Sequence, residues 1–187
     1  METTVLAESS DVLDRLRELL RTEGGLLTTL LDEGVETNGS ETATESPARI
    51  AASGPRTESR SEQYELLVEA IYEGYLLHYG APRVVRAADA DLRVLAGDRL
   101  YAVGLARLVE LGDTDAVAEL ADTITLSALA QGAGEAELAD VVWAAGARAV
   151  GWGPSEQHAR AKQLLARRAP EAFEAMRTSA SGSPAPR

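Results

Sequence analysis

The chain contains no cysteine among its 187 residues, so disulfide bonds, thiolate metal sites and a cysteine nucleophile are excluded. Aromatic residues are also scarce, at 4% with a single phenylalanine, although hydrophobic residues make up 45% of the chain. The core must therefore be built from leucine, valine, isoleucine and alanine, which interdigitate well between helices. Because strand-favouring residues are sparse, the composition predicts an all-α fold.

Positive charge is scarce as well, since the net charge is −12 and Lys162 is the only lysine. We expect no nucleic-acid partner, because neutralising phosphates requires clustered lysine and arginine. No apolar run approaches the roughly 18 residues that would indicate a transmembrane segment. The start, METTVLAESSD, has neither the basic flank nor the apolar stretch of a signal peptide, so the expected location is cytoplasmic.

Composition and periodicity divide the chain into a short N-terminal helical segment (1–31), a disordered linker (32–61), a small helical bundle (62–176) and a disordered tail (177–187). In the first segment, leucines spaced along one face predict a helix from Ser10 to Arg21, closed by Gly24 and Gly25. The linker is rich in Gly, Ser, Thr, Glu, Pro and Arg, which bury too little apolar surface to offset the entropy of ordering. A long functional loop is the alternative there.

Five helices are predicted in the bundle: Tyr64–Tyr79, Leu92–Leu111 capped by Asp91, one from Asp113 or Thr114 to Gln131, Glu135–Val150, and one opened by Pro154-Ser155-Glu156. Pro170 breaks or kinks the fifth helix before a short continuation to Met176. The connections are short, so neighbouring helices should pack antiparallel.

The two histidines, His78 and His158, fall in different helices with no third nitrogen or thiolate to complete a zinc site. We interpret His78 as a packing or capping residue and His158 as a solvated surface residue. No phosphate-binding loop, dinucleotide fingerprint or nucleophile elbow occurs. The sequence therefore predicts no catalytic residue, no resident cofactor and no complete metal site.

Glu69 and Glu73 are the weak candidates for a metal site, because side chains four residues apart on a helix face the same way and could share a divalent ion. The simpler interpretation is a solvated acidic face, which is common in acidic chains.

Gly97 and Gly104 are seven residues apart in one predicted helix and therefore lie on nearly the same face. Each glycine costs about 1 kcal/mol against alanine in a helix interior, so the pair predicts that another backbone approaches closely. Packing within the chain and a contact between subunits both remain open. The candidate subunit interface consists of Gly97, Asp98 and Gly104.

The segment Leu95–Ala102, LAGDRLYA, precedes a leucine-rich helix, a Gly-Asp turn and a further helix that ends at Gln131-Gly132. This order resembles the middle of trans-prenyl diphosphate synthases, the polyprenyl synthetase family, over roughly 66–135. The resemblance implies the isoprenoid synthase fold. In that family the helix with the Gly-Asp pair lies near the dimer interface, which implies a structural or interfacial role for Gly97 and Asp98.

The family binds Mg²⁺ through two aspartate-rich motifs, whose clustered carboxylates hold the ions that grip a diphosphate. Here the first motif is replaced by VEAIYE at 68–73, and the region 143–176 is rich in alanine and arginine. The resemblance thus implies a non-catalytic accessory or assembly subunit in isoprenoid biosynthesis, as a homo-oligomer or as a heteromer with a catalytic prenyl synthase. Two alternatives remain. One is a minimal prenyltransferase or prenyl-diphosphate-binding protein that holds one Mg²⁺ with Glu69, Glu73 and Asp98. The other is a helical adaptor unrelated to isoprenoids.

Overall fold

The fold is given by a computed structural model that describes residues 2–31 and 45–182, with side chains from residue 11 onward. These residues form nine α-helices, one short 3₁₀ helix at Glu58–Arg60 and no β-strand, which confirms the predicted all-α class. The helices are α1 (Glu2–Glu23), α2 (Leu26–Thr29), α3 (Pro47–Ala52), α4 (Ser61–Tyr79), α5 (Ala90–Glu110), α6 (Thr114–Gly132), α7 (Ala136–Trp152), α8 (Glu156–Ala166) and α9 (Ala172–Ser181). None of the helices described is both long enough and apolar enough to cross a membrane.

The chain forms two compact units, Met1–Thr44 with Glu65–Arg107 and Glu45–Tyr64 with Leu108–Arg187. The sequence predicts a single bundle over 62–176, whereas the contacts divide that range and place α1 and α2 in the first unit. The N-terminal segment is therefore part of a packed core and not a separate handle.

In the first unit, α1 buries the leucine face predicted from the sequence, with Leu16 and Leu20 fully inaccessible. The helix ends as predicted at Gly24 and Gly25, both of which have positive φ, although it begins at Glu2 and not at Ser10. The face packs on residues from α4, from the loop after α4 and from α5: Ala70, Leu77, Val84, Val85, Ala96 and Leu100.

The loop after α4 is held against the segment that follows α2. Leu31 and Val85 form an isolated antiparallel bridge, and the Arg86 amide donates to the Leu30 carbonyl at 2.8 Å. These backbone bonds fix the position of residues 83–86, which reach the buried carboxylates of α4.

In the second unit, α7 carries the largest share of the core, including the fully buried Trp143. Small residues let two neighbours approach it closely. A Cβ built on Gly146 would collide with Thr123 of α6, and one built on Gly54, just after α3, would collide with the backbone of Gly151. The absence of a side chain at these glycines thus permits the close packing.

Residues 45–61 are folded, which corrects that part of the predicted linker; residues 32–44 lie outside the described residues. The segment buries Ala48 and Ala51 completely as α3 packs on α7. The Thr57 hydroxyl donates to the Ala51 carbonyl at 2.7 Å. The packing uses alanine and glycine, so composition gave no sign of a core contact.

The predicted disordered tail (177–187) is wrong over its first residues, because α9 continues through Ser181. The break near Pro170 is confirmed, since α8 ends at Ala166 and α9 begins at Ala172. Residues 183–187 lie outside the described residues.

Of the predicted N-terminal caps of α5 and α6, the first is wrong and the second is confirmed. The cap of α5 is Asp89 and not Asp91, because the Asp89 carboxylate accepts from the amides of Asp91 and Leu92 at 2.9 and 3.0 Å. The start of α6 is confirmed, since the carboxylate of Asp113 accepts from the Ala116 amide at 3.0 Å.

Asp113 also accepts from the Tyr64 hydroxyl at 2.7 Å and from Arg56 Nη2 at 3.3 Å. Burial raises the pKa of Asp113, but the Tyr64 hydroxyl, the Ala116 amide and Arg56 outweigh it, so the net pKa is lowered. A lowered pKa in the folded state stabilises the fold above the unfolded-state pKa of roughly 4, and this stabilisation is lost as pH falls through the folded value.

Replacing Asp113 with alanine is therefore expected to lower the free energy of unfolding by about 1 kcal/mol or more at neutral pH, through loss of the cap. Asparagine is an equally good cap without a titrating group, so Asp113→Asn should retain most of the cap and lose the Asp113 part of the acid dependence. Urea unfolding across pH 2.5 to 7 measures both effects. An acid dependence identical in wild type and Asp113→Asn would contradict the assignment.

Candidate functional site

The paired helices α4 and α5 bring together the site residues predicted from the sequence. His78 lies against Gly97, and Ile71 lies against Gly104, so the two helices run antiparallel as predicted. A Cβ on Gly97 would lie 2.5 Å from His78 Nε2 and 3.1 Å from the carbonyl oxygen of Gly74. A Cβ on Gly104 would overlap Ile71 and lie 3.1 Å from the Leu67 carbonyl oxygen.

The close backbone approach predicted at Gly97 and Gly104 is therefore confirmed, and the neighbouring helix is α4 of the same chain. Both glycines are buried. The subunit interface predicted at these two positions is corrected, because a second chain could reach them only if α4 separated from α5.

Asp98 follows Gly97 on α5 and has a side chain that is 63% exposed. Its Oδ1 lies 3.2 Å from His78 Nε2, and the His78 ring stacks on Tyr101 with centroids 5.4 Å apart. Burial raises the pKa of Tyr101, so this phenol stays neutral. His78 thus packs between a neutral aromatic ring and a carboxylate, in keeping with its interpretation as a packing residue.

Three large hydrophobic residues are exposed at this end of the helix pair. Tyr79 follows His78 at the end of α4, and Val94 and Leu95 lie one turn before Asp98 on α5; all three are exposed. We call Tyr79, Val94, Leu95 and Asp98 the Leu95 surface. It is the part of the candidate interface that another chain can reach.

Glu69 and Glu73 face the same side of α4, but they are 1% and 0% exposed, so the interpretation as a solvated acidic face is wrong. Both interact with Arg83 in the loop after α4. The guanidinium donates to Glu69 through Nη2, and its Nε lies 3.4 Å from Glu73 Oε2.

Glu73 also binds the backbone of the same loop. Its Oε1 accepts from the amides of Arg83, Val84 and Val85 at 2.7, 2.6 and 3.2 Å. Three successive amides aimed at one carboxylate oxygen form a concave anion site, which here is filled by a side chain of the chain itself. Glu73 thereby fastens the loop to α4.

Charge interactions with Glu69 and Glu73 also stabilise the position of Arg83. Burial lowers the pKa of Arg83, but the charges of Glu69 and Glu73 outweigh it and the net pKa is raised, so the guanidinium stays charged. Arg83 also lies over the Tyr72 ring, 5.4 Å from its centroid. A divalent ion would have to displace this cation from the two glutamates. In the part of the chain with described side chains, no three potential ligands are grouped so that they could hold a metal ion.

His158 is buried in the second unit and is not the solvated surface residue that the sequence predicts. Its ring nitrogens contact Glu119 of α6 and Ser179 of α9, and Lys162 binds the same glutamate. The only sequence signal of this network is the spacing of His158 and Lys162, which are four residues apart on one helix.

The other overlooked residue is Arg83. Its only sequence signal is its place just after Gly80 and Pro82, where the chain turns back towards α4.

No family model, curated protein or solved structure matches this chain. The resemblance to trans-prenyl diphosphate synthases therefore rests on LAGDRLYA at 95–102 and on the order of helices around it, and it stays a prediction.

Proposed function

We propose that this chain is a polyprenyl synthetase-like helical protein that acts in the cytoplasm as an accessory or assembly subunit of isoprenoid biosynthesis and does not itself transfer prenyl groups. The observation that carries the proposal is the Leu95 surface. Leu95 and Asp98 lie within the segment that resembles the synthases, at exposed positions of α5 near the buried Gly97.

The composition of this surface suits a protein contact. Tyrosine and apolar side chains are typical of the centre of protein interfaces, and clustered apolar exposure marks interaction sites. Leu95 is 55% exposed, so covering it would remove apolar area from water. The expected partner is a catalytic prenyl diphosphate synthase that carries the aspartate-rich motifs this chain lacks.

The catalytic alternative receives less support from the geometry. A prenyltransferase needs carboxylates free to ligate Mg²⁺, and Glu69 and Glu73 are bound to Arg83 and to backbone amides. Asp98, the third residue of that alternative, lies on the exposed face of α5 beside His78.

The proposal is tested by native pull-down of the tagged full chain from its own cells, with bound proteins identified by mass spectrometry. We expect a full-length synthase with both aspartate-rich motifs at a stoichiometric level. Recovery of the chain alone would indicate a homo-oligomer or a monomer and would argue against the heteromer. Recovery of unrelated proteins would favour the adaptor alternative.

Leu95→Asp is expected to reduce recovery of the synthase at least tenfold, because a charge placed in an apolar interface must be desolvated without a partner. The matched control is Val109→Asp, an apolar residue on the same helix that is 54% exposed and outside the Leu95 surface. Both variants should melt within a few degrees of wild type, since exposed substitutions shift stability by only about 0.5 kcal/mol. Equal recovery with both variants would contradict docking at the Leu95 surface.

A further inference from the structure

A second group of polar residues lies in the second unit, on α6, α8 and α9. His158 Nδ1 is 2.8 Å from the Ser179 hydroxyl, and His158 Nε2 is 3.1 Å from Glu119 Oε2. The Lys162 ammonium donates to both oxygens of Glu119 at 2.8 and 3.0 Å, and to Asp122 at 2.7 Å. A hydroxyl, an imidazole and a carboxylate are therefore connected in series.

The charges in this group fix which atoms carry protons. Burial raises the pKa of Glu119, but hydrogen bonds from His158 and Lys162 and the charge of Lys162 outweigh it, so the net pKa is lowered. Burial likewise lowers the pKa of Lys162, and Asp122 and Glu119 outweigh it, so its net pKa is raised. Glu119 is consequently a carboxylate that can only accept, and Lys162 is a cation that can only donate.

The His158 nitrogen that faces Glu119, Nε2, therefore carries a proton and donates to this carboxylate. In the tautomer with its proton on Nε2, Nδ1 is an acceptor, and the Ser179 hydroxyl donates to it. An imidazole that accepts from a serine hydroxyl while its other nitrogen donates to a carboxylate is the arrangement that activates nucleophilic serine in hydrolases on unrelated folds.

We propose that Ser179 is a nucleophile for acyl transfer from small esters, with His158 as its general base and Glu119 as the residue that orients His158. Ser179 is half-buried, whereas the His158 side chain is almost fully enclosed, so the serine is the more accessible of the two. This activity uses none of the residues of the Leu95 surface, and it is independent of the proposed accessory function.

The chemical step is balanced by the residues present and by water. Ser179 Oγ attacks the ester carbonyl carbon and forms a C–O bond, while its proton passes to His158 Nδ1. The tetrahedral adduct then expels the alcohol, which takes that proton from His158 as the ester C–O bond breaks. Water, deprotonated by His158, hydrolyses the acyl-serine and restores the hydroxyl.

The test uses the full chain and a fluorophosphonate probe, which phosphonylates activated serines, with peptide mass spectrometry to locate the label. We expect labelling at Ser179, none in Ser179→Ala and unchanged labelling in Ser181→Ala. Ser181 is the matched control, since it lies on the same helix and its hydroxyl donates to the Thr178 carbonyl, at 2.9 Å. Absence of label in wild type, or equal label on Ser181, would overturn the proposal.

The role of His158 is tested by His158→Gln, which should slow labelling by about 10²- to 10⁴-fold, the usual contribution of a general base. His158→Gln also loses buried hydrogen bonds. A second pair of variants therefore tests whether His158 activates position 179 while leaving His158 in place. Ser179→Cys should react with iodoacetamide at neutral pH at least tenfold faster than Ser181→Cys, since the imidazole beside it favours the thiolate. Equal alkylation rates in the two cysteine variants would show that His158 does not activate position 179.

Discussion

Replacing Glu73 with alanine is expected to lower the free energy of unfolding by about 3 to 5 kcal/mol, the range for removing one partner of a buried ion pair. The substitution leaves the amides of Arg83, Val84 and Val85 without their acceptor and leaves Arg83 with one carboxylate fewer. Water can replace these bonds only if the loop moves off α4. Urea unfolding followed by circular dichroism measures the loss.

Glu73→Gln separates the two contributions. Its amide oxygen can still accept from the loop amides, but the negative charge beside Arg83 is gone. The loss should therefore be smaller than in Glu73→Ala, by at least 1 kcal/mol, since each buried unsatisfied donor costs about 1 to 3 kcal/mol. If alanine proved no more destabilising than glutamine, the backbone amides would not depend on this carboxylate.

Gly104→Leu is expected to lower the free energy of unfolding by about 3 kcal/mol, the upper end of the usual range for overpacking a core contact. A single Cβ at Gly104 already overlaps Ile71, and the Leu67 carbonyl behind it belongs to the backbone and cannot rotate away. Helices α4 and α5 would have to separate, which would open the core where Leu100 packs. Thermal melting monitored by circular dichroism reports the effect.

The matched control for this variant is Ala102→Leu, an exposed position two residues away on the same helix. It adds the same side chain without a neighbour to displace, so its unfolding free energy should remain within about 0.5 kcal/mol of wild type. Similar losses in the two variants would mean that the α4–α5 contact is not the reason for glycine at position 104.

The sequence predicted the helices well wherever leucine spacing and capping residues agreed. The α1 face, the start of α6 at Asp113 and the break before α9 all follow from local patterns. The glycine pair at 97 and 104 predicted a close approach between backbones. It could not identify the neighbour, because a glycine face is equally suited to a helix of its own chain and to a helix of another.

The burial of the two carboxylates on α4 could not be predicted from the sequence. Glu69 and Glu73 have the spacing of a solvated face, and their burial depends on Arg83, which reaches them only because the loop turns back after Pro82. In the same way, Ala48 and Ala51 pack on α7 with no large apolar residue to indicate it. Such contacts depend on which elements meet in space, and helical periodicity within one segment carries no information about that.

The surroundings of His158 could not be predicted from its own helix. On its own helix it has polar neighbours, Gln157 and Arg160, which suggested a solvated residue. Its environment is instead determined by Glu119 and Ser179, which are 39 and 21 residues away in sequence.

The accessory function is tested most directly by measuring prenyl transfer by the synthase recovered with this chain, after adding back wild-type or Leu95→Asp protein. We expect the wild-type chain to raise the synthase's activity, or its melting temperature, while Leu95→Asp has no such effect and the chain alone transfers no prenyl group. Identical synthase activity and stability with either protein, or prenyl transfer by this chain alone, would contradict the proposal.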